Sequence, residues 1–473
     1  MSTPRTAAAV VGAGLAGTTA ALGLVDAGFT VTLYSDRDRD ALRNDVPATG
    51  TAVYFGKSRE ADARIIEDLY ADGPHSTGMS TRLHTGEGDT RADVLEFDPD
   101  FRYVAQGVDV RLRADDRLGR FLDRGGRFEV RAVNPDDLDA IAADHDLTLV
   151  ATGKGGLSTL FPVDTERTVY SEPQRRLLLV TLQGLGHGPD TFGYRSAAGG
   201  AHNLFNLHTD FGEAWLGPYL HKDAGATWSF LGFAKPGSPW EERFAAVTDV
   251  HSARQTVVDF YRDYFPHDAP EIEQLQVIES DPHSWLKGAV TPTVRRAVGT
   301  TRSGHVVAAI GDTAIAFDPL AGQGAQNTAV QVAALVDAAR GHDGEFTAGW
   351  LSEQFEKHWH TRGHAAAEVT RLFLGDPKYA VHAELLFPAA TVSEPVAAAL
   401  FGFLSEPDTL IGIDTREDIL AFIAAVAGEP AEDVLERFAP SDGFTASRAA
   451  ARAQAAPVCS HTMAAAPVVV VSC

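Results

Sequence analysis

The hydrophobic pattern at the start of the chain predicts a strand, a helix and a second strand. Ala7 to Val11 form a short apolar run that ends in glycines, and Phe29 to Tyr34 form another. Between them lies an Ala- and Leu-rich segment from Leu15 to Ala27, long enough for a crossover helix. Buried parallel strands read as continuous apolar runs, so this unit is β-α-β and its sheet is parallel.

Two later segments predict further strands of the same sheet. Asp146 to Gly153 reads DLTLVATG, and Gly304 to Gly311 reads GHVVAAIG. The second is followed by a turn and by a long Ala- and Val-rich helix from about Gly324 to Ala339. One parallel sheet is therefore assembled from segments about 300 residues apart.

The pattern changes between these strands. From Gln174 to about Glu279, short segments such as Leu177 to Leu182 and Ala226 to Phe233 alternate apolar and polar residues, which favours antiparallel structure. Beyond Phe346 the spacing is helical, with another helix around Glu417 to Val426. We predict an α/β protein with an α+β insert: residues 1–173 with 283–345, an inserted mainly antiparallel domain at 174–282, a helical region at 346–440 and a disordered tail at 441–473.

Composition excludes several classes of protein. An apolar fraction of 44% with 22% charged residues is typical of a globular protein, and no run approaches the roughly 18 apolar residues of a membrane helix. A net charge of −24 argues against a nucleic-acid partner. The only two cysteines, Cys459 and Cys473, argue against a disulfide framework. The first strand begins within about ten residues of Met1, so we expect no signal peptide and a cytoplasmic location.

The segment VVGAGLAG, Val10 to Gly17, lies between the first strand and its helix. Gly12 permits the tight turn, Gly14 lets the backbone approach a pyrophosphate, and Gly17 allows close packing of helix on strand. Asp36 follows the second strand at about the distance needed to reach a ribose hydroxyl. This pattern predicts a dinucleotide site but leaves the choice of dinucleotide open.

A second segment favours a flavin. GDTAIAFDPLAGQGAQN, from Gly311 to Asn327, places Asp312 at the end of a buried strand, then a proline and a Gly-Gln-Gly turn that opens a helix. Asp312 can accept a hydrogen bond from a ribityl chain. The N–H groups of Gly322 to Ala325 can meet the pyrimidine end of the ring, which is negatively charged when reduced.

With these motifs the sequence resembles the FAD-dependent oxygenases of the aromatic hydroxylase fold, and among them the styrene and indole monooxygenases. The likeness extends over residues 8–430 and includes DLTLVATGK, EPQRR at Glu172 to Arg176 and LYSDR at Leu33 to Arg37. It implies a Rossmann-like FAD-binding domain with an inserted substrate domain. The residues expected to contact FAD are Gly12, Gly14, Leu15, Ala16, Gly17, Asp36, Arg37, Arg43, Thr152, Gly153, Asp312, Pro319, Gly322, Gln323, Gly324, Ala325 and Asn327.

One departure concerns the source of electrons. Single-component aromatic hydroxylases carry an Asp-Gly motif after the strand that corresponds to Leu147 to Ala151, whereas this chain has Thr152, Gly153 and Lys154 there. The resemblance then implies a two-component system, in which a separate NAD(P)H-dependent flavin reductase supplies reduced FAD. Reaction with O2 would give a peroxyflavin that epoxidises or hydroxylates a small aromatic alkene or indole, without an acid/base residue. The resemblance also implies a homodimer.

Two other functions stay open. One is a self-sufficient NAD(P)H-dependent aromatic hydroxylase, and the other is a flavin-binding regulatory partner without catalytic activity. No acidic residue completes a zinc motif around His358, His360 and His364, so we expect no metal.

The substrate-facing residues are harder to place. The styrene enzymes have an Asn-Thr pair after a Leu-Arg segment, but after Leu42 and Arg43 this chain has Pro47, Ala48, Thr49 and Gly50. We expect Ala48, Thr49, Tyr219 and Leu320 to contact substrate, and Pro319, Leu320 and Ala321 to position it against the ring. Trp215 and Trp228 are interpreted as core residues.

Overall fold

The computed structural model describes residues 6–195 and 202–439. Its strands, in chain order, are β1 Ala7–Val11, β2 Thr30–Ser35, β3 Ser76–Thr85, β4 Ala92–Phe97, β5 Asp100–Ala105, β6 Gly107–Val108, β7 Arg127–Val130, β8 Leu147–Val150, β9 Arg176–Gln183, β10 His202–His208, β11 Gly212–His221, β12 Gly225–Ala234, β13 Gln276–Val277, β14 Trp285–Ala289, β15 Thr293–Val294, β16 Val298–Thr300, β17 Val306–Ala309 and β18 Ile315–Ala316.

The α-helices are α1 Leu15–Asp26, α2 Arg39–Asn44, α3 Gly56–Asp62, α4 Val110–Asp123, α5 Pro135–Ala143, α6 Pro239–Ala245, α7 Val250–Tyr264, α8 Ala269–Ile272, α9 Gln323–Arg340, α10 Ala348–His358, α11 His364–Leu374, α12 Ala380–Val392, α13 Glu394–Ser405, α14 Arg416–Ala427 and α15 Ala431–Glu436. A π-helical turn, Trp359–Gly363, joins α10 to α11.

A six-stranded sheet contains the predicted β-α-β unit. Its order is β16-β17-β8-β1-β2-β7, and β1 pairs in parallel with β2 on one side and with β8 on the other. Because the chain leaves β1 towards β2 and later returns beside β1 as β8, the strand order reverses between β1 and β8. In open parallel sheets, ligands bind outside the carboxyl ends of the strands at such a point. The α/β fold class is confirmed.

A ten-stranded sheet forms the second layer and contains more of the chain than the sequence indicated. Its main path is β13-β9-β12-β11-β10-β3-β4, and β5, β6 and β14 pair at its sides. Strands β3 to β6 come from residues 76–108, which we had assigned to the first domain, and β14 lies beyond residue 282. The partners of these strands, such as β10 beside β3 and β11 beside β6, are set by tertiary contacts, so the predicted limits differ from the observed sheet.

The two faces of this sheet pack against different elements. Because side chains alternate along a strand, Leu178 and Val180 of β9 pack with α7, whereas Leu179 lies on the opposite face with Phe205 and Phe233. That opposite face meets residues of α12 and α13. The C-terminal helices therefore cover one side of the inserted sheet and enclose the space between it and the parallel sheet.

The predicted C-terminal helical region is present as α10 to α15. The predicted tail, residues 441–473, and both cysteines lie outside the described residues. Within the part of the chain that the structure describes, no helix is both long and apolar enough to span a membrane.

Candidate active site

The glycine turn lies at the carboxyl end of β1, where the strand order reverses. Gly12 has a φ of +108°, and a Cβ built on it would lie 2.4 Å from the Ala151 carbonyl oxygen. A Cβ on Gly17 would lie 1.7 Å from the Gly12 carbonyl oxygen. Both glycines are thus required by the packing of the protein itself, at the junction of β1, β8 and α1.

Gly14 differs from its two neighbours. A Cβ built on it meets no protein atom within 4 Å, and its φ of −74° is open to any residue. Gly14 is also the N-cap of α1, and no side chain caps the helix end that continues with Leu15 and Ala16. Unpaired N–H groups at a helix N-terminus favour an anion. The packing of the protein gives no reason for a glycine here, whereas a phosphate approaching the backbone does.

The turn after β17 packs onto the same helix end. Gly311 has a φ of +59°, and a Cβ on it would lie 2.7 Å from the Ala16 side chain. The next residue, Asp312, is partly exposed, and its Oδ2 lies 3.2 Å from Lys154 Nζ. The glycine turn, the predicted ribityl-binding carboxylate and the ATGK segment after β8 therefore meet at one edge of the sheet.

Thr152 and Gly153 lie after β8 at the same edge. Thr152 offers an unused hydrogen-bonding group, and Gly153 leaves open space. Thr152 Oγ1 is buried and has no hydrogen-bond partner among the described residues. Gly153 has a φ of +71°, and a Cβ on it meets nothing within 4 Å. A buried hydroxyl without a partner is costly unless a ligand or water completes it.

At the end of β2, Asp36 is exposed and pairs with Arg37 at 3.4 Å. Arg43 is directed elsewhere: its Nη2 donates to the Lys222 carbonyl and to Asp223 Oδ1, both at 2.9 Å. Arg43 thus ties α2 to the hairpin between β11 and β12. Asp36 and Arg37 follow β2, whose Tyr34 carbonyl accepts from the Gly12 N–H at 2.8 Å. Arg43 instead makes a contact that the sequence did not indicate.

The second flavin motif forms a tight turn that opens α9. Pro319 to Ala321 make one 3₁₀ turn, capped by Asp318 Oδ1, which accepts from the Leu320 N–H at 3.0 Å. Gly322 follows with a φ of +62°, and no side chain caps α9 at Gly322. A Cβ on Gly324 would lie 3.7 Å from Asp312 Oδ1. The turn therefore aims the N-terminus of an 18-residue helix towards Asp312.

Asp318 is a fully buried carboxyl. Its Oδ2 has no partner among the described residues. Burial raises the pKa of Asp318 to about 6, while the Leu320 N–H and the charge of Arg175 oppose that rise.

Two other residues of this motif point into the protein. Gln323 Nε2 donates to the carbonyls of Ala321 and Leu404 at 2.9 and 3.0 Å. Asn327 Oδ1 pairs with Nε2 of the buried His358 at 2.9 Å. The sequence placed both among the cofactor contacts, but their side chains join α9 to the C-terminal helices.

An apolar cavity begins at the same turn. Pro319, Leu320 and Gly322 line one side. The other walls come from the loop after α2, from the inserted sheet and from α11 and α13: Thr51, Val53, Phe55, Met79, Asn203, Phe205, Trp215, Leu231, Phe233, Phe373, Phe401 and Leu404. A cavity of this kind, apolar with few polar groups, is typical of a small-molecule site.

The structure brings only part of the predicted substrate set to this cavity. Leu320 lines it, and so does Trp215, which the sequence assigned to the core. Ala48 is buried and Thr49 is exposed, but neither lines the cavity, and Tyr219 is fully buried away from it. The sequence could not place the sheet residues because the direction of each side chain depends on strand register. The sequence did contain one usable sign: Asn203 and Phe205 are two residues apart, so in a strand their side chains share a face.

A buried cluster behind the loop after α2 has the composition of a metal site. Ligand atoms of Asp109, His221 and Asp281 lie within 4.8 Å of one another. Arg111 Nη2, however, lies 2.8 and 2.6 Å from the two carboxylates, and Arg111 Nη1 donates to the Val46 carbonyl at 3.1 Å. The guanidinium already supplies the positive charge there and anchors the loop that leads to the cavity.

These features together fit FAD. The room at Gly14, the lone Thr152 hydroxyl, the exposed Asp312 carboxylate and the uncapped ends of α1 and α9 lie along the carboxyl edge of the sheet. They match the pyrophosphate, the ribityl chain and the ring in that order. The apolar cavity continues from the ring end.

Comparison with known sequences points to one family. Residues 153–270 match a profile described as "Styrene monooxygenase A putative substrate binding domain". Styrene monooxygenase StyA from Pseudomonas sp is 24% identical over 330 residues, which are 67% of this chain and 73% of that protein. The protein of the same name from Pseudomonas fluorescens is 24% identical over 318 residues, with the same coverage.

Solved structures share the fold at low identity. An oxygenase of 2-methyl-3-hydroxypyridine-5-carboxylic acid aligns with a TM-score of 0.54 and 16% identity, covering 84% of this chain and 98% of its own. The flavin-dependent brominase Bmp2 gives 0.53 and 12%, covering 95% and 99%. The halogenase PltM, solved in complex with FAD, gives 0.54 and 14%, covering 96% and 93%. The sequence relatives and the site agree: the chain is a flavin monooxygenase that is similar to styrene monooxygenase over two thirds of its length.

Proposed function

We propose that this chain is the oxygenase component of a two-component monooxygenase, which takes reduced FAD from a separate NAD(P)H-dependent reductase. Its reaction would convert FADH2, O2 and a small aromatic alkene or indole into FAD, water and the epoxide or hydroxylated product. The observation that carries this proposal is the continuity between the FAD cradle at Gly14, Thr152 and Asp312 and the apolar cavity at Leu320.

The residues after β8 support an external source of electrons. Where self-sufficient relatives carry Asp-Gly, this chain has Thr152 and Gly153, and the following Lys154 pairs with Asp312. No second glycine fingerprint for a nicotinamide domain occurs in the sequence.

When bound, reduced FAD supplies the oxygen activation, and the protein has three tasks around it. The N–H groups at the start of α1 stabilise the charge of the pyrophosphate, and those at Gly322 to Ala325 stabilise negative charge at the ring. Asp312 holds the ribityl hydroxyls. The apolar walls at Phe205, Phe233 and Leu320 exclude water and fix the substrate's position.

The source of electrons can be tested with the purified protein loaded with FAD under anaerobic conditions. We expect NADH or NADPH alone to leave the flavin absorbance near 450 nm unchanged over many minutes, while dithionite bleaches it at once. Rapid bleaching by NADPH without a reductase would instead establish a self-sufficient hydroxylase.

The oxygenation step needs a separate assay. Reduced FAD, generated chemically or by an unrelated flavin reductase, is mixed with the protein, O2 and either indole or styrene. We expect blue indigo from indole and an epoxide from styrene, above a control without the protein. If FAD binds but none of indole, styrene and aryl sulfides is oxygenated, the proposed reaction is wrong and a flavin-binding regulatory role gains support.

A further inference from the structure

The substrate cavity contains one polar side chain that is almost fully buried. Asn203 of β10 is 2% exposed and lies among apolar and aromatic residues. The other polar groups at the cavity are the hydroxyl of Thr51, on the loop after α2, and the indole N–H of Trp215, and both side chains are only partly buried. A buried amide in an apolar cavity requires hydrogen-bond partners for both its nitrogen and its oxygen.

The nitrogen of Asn203 is satisfied by the protein. Asn203 Nδ2 donates to Ser76 Oγ at 2.9 Å and approaches the Gly78 carbonyl oxygen at 3.4 Å. A carbonyl oxygen accepts and cannot donate, so the atom that faces Gly78 must be the amide nitrogen. This contact fixes the orientation of the amide, which directs Oδ1 away from β3.

The oxygen of Asn203 is not satisfied in this way. Among residues 6–195 and 202–439, no group donates a hydrogen bond to Asn203 Oδ1. Space for this oxygen depends on Gly217 of β11, because a Cβ built there would lie 2.3 Å from Oδ1 and 2.1 Å from Trp215 Cζ2. Gly217 therefore makes room for two residues that line the cavity.

We propose that Asn203 is a specificity-determining residue, whose Oδ1 accepts a hydrogen bond from an N–H or O–H group on the ring of an aromatic substrate. This inference rests on the proposed function, because it assumes that the cavity beside Leu320 is the substrate site. A substrate with such a donor satisfies Oδ1, whereas an isosteric substrate without one leaves a buried acceptor unpaired. The cavity thus favours donor-bearing aromatics over plain aromatic alkenes.

The test compares two ligands of nearly equal shape, indole and benzofuran, which differ in the ring N–H. Dissociation constants are measured with the FAD-loaded protein by equilibrium dialysis, so that no turnover is needed. We expect the unaltered protein to bind indole roughly tenfold or more tightly than benzofuran, and Asn203→Leu to lose that preference while retaining affinity for benzofuran.

Two control variants separate this role from a structural one. Ser76→Ala removes a partner of Asn203 Nδ2 but leaves Oδ1 in place. Thr51→Val removes the hydroxyl group that lines the cavity. Both should keep the preference for indole. Equal affinity for the two ligands in the unaltered protein, or an indole preference that survives in Asn203→Leu, would overturn the proposal.

Turnover data keep this proposal distinct from the proposed function. If both ligands bind with the expected preference but neither is oxygenated, the assigned reaction fails and the role of Asn203 stands. If both are oxygenated at equal kcat/KM, the reaction stands and the role of Asn203 is wrong.

Discussion

Gly14 and Gly17 belong to one glycine motif, yet an added methyl group should change different properties. At Gly14 it should weaken FAD binding, and at Gly17 it should disturb the packing of the protein. The room beside Gly14 is open, whereas a Cβ on Gly17 would overlap the Gly12 carbonyl. We therefore expect Gly14→Ala to fold normally but to bind FAD at least tenfold more weakly, because the methyl group occupies the path of the pyrophosphate. Fluorescence titration of FAD and a thermal melt of the apoprotein measure the two effects separately.

Gly402 of α13 provides the matched control, since a Cβ there also meets nothing within 4 Å. Gly402→Ala should leave FAD affinity unchanged and stabilise the helix by about 0.5–1 kcal/mol. Unaltered FAD binding in Gly14→Ala would show that the pyrophosphate does not approach this turn.

Asp318 should make stability depend on pH. Its folded pKa of about 6 exceeds the value of 3.8 for a free carboxyl, so between these values the folded protein holds a proton that the unfolded chain releases. The favourable contribution is present below pH 3.8 and is lost as pH rises to about 6. Asp318→Asn keeps the cap to Leu320 but carries no charge, so it should gain about 1–3 kcal/mol over the original protein between pH 4 and 7.

Urea denaturation of the apoprotein at pH 4, 5, 6, 7 and 8 measures this difference. It should grow up to about pH 6 and then stay constant. A difference between the two proteins that does not change with pH would mean that Asp318 is not ionised at a raised pKa in the folded state.

The start of β9 is joined to β11 by an almost fully buried ion pair. Arg175 Nε and Nη2 donate to Glu213 at 2.7 and 2.9 Å, and Nη2 also contacts the Leu374 carbonyl at the end of α11 at 3.2 Å. Removing one partner leaves the other charge buried and unpaired. We expect Arg175→Met to lower the free energy of unfolding by about 3–5 kcal/mol.

The next residue supplies a control. Arg176 pairs with Glu241 at 2.8 Å but is 40% exposed, so Arg176→Met should cost less than about 1 kcal/mol. The double variant with Arg175→Met and Glu213→Leu should recover much of the loss, because no unpaired charge remains. Equal effects of the two arginine variants in chemical denaturation would argue against this account.

The sequence predicted well those strands and helices whose own residues form a recognisable hydrophobic or turn pattern. The strands β1, β2, β8 and β17 read as apolar runs, and α9 follows a Gly-Gln-Gly turn. Strands β3 to β6 were not predicted, because their pairing with a sheet formed mainly by residues more than 60 positions away is a tertiary event.

The parallel-sheet region and the C-terminal helices meet around His358, which links the two. Its Nε2 contacts Asn327 of α9, and burial with the nearby charge of Arg362 lowers the pKa of His358 to about 3. The unfolded chain takes up a proton as pH falls through about 6.5, while the folded protein does not do so until about pH 3. Stability should therefore decline as pH falls through this window, by up to about 1.4 kcal/mol per pH unit.

The variant His358→Gln can retain the contact to Asn327 but cannot be protonated in this range. The stability of the original protein relative to this variant should fall between pH 6.5 and pH 4, as measured by urea denaturation. His360, which is 73% exposed on the adjoining π-helical turn, provides the control, because His360→Gln leaves the buried imidazole of His358 in place. A pH-independent difference for His358→Gln would contradict a buried neutral histidine.

The local sequence was sufficient for the features that depend on backbone geometry and strand order. The turn at Gly12 to Gly17, the placement of Asp312 and the turn before α9 all follow from glycines, prolines and apolar runs that are contiguous in the chain. Backbone conformation at such turns is dictated by a few adjacent residues. That is why the geometry of the edge proposed to bind FAD could be predicted.

The cavity was decided only by tertiary structure. Asn203, Trp215 and Phe233 face it because of strand register, and Phe401 closes it because α13 packs on that face of the sheet. The direction of Arg43 towards Asp223 and of Asn327 towards His358 likewise depends on partners 180 and 31 residues away. Side-chain direction and long-range pairing are properties of the packed chain, which no local pattern encodes.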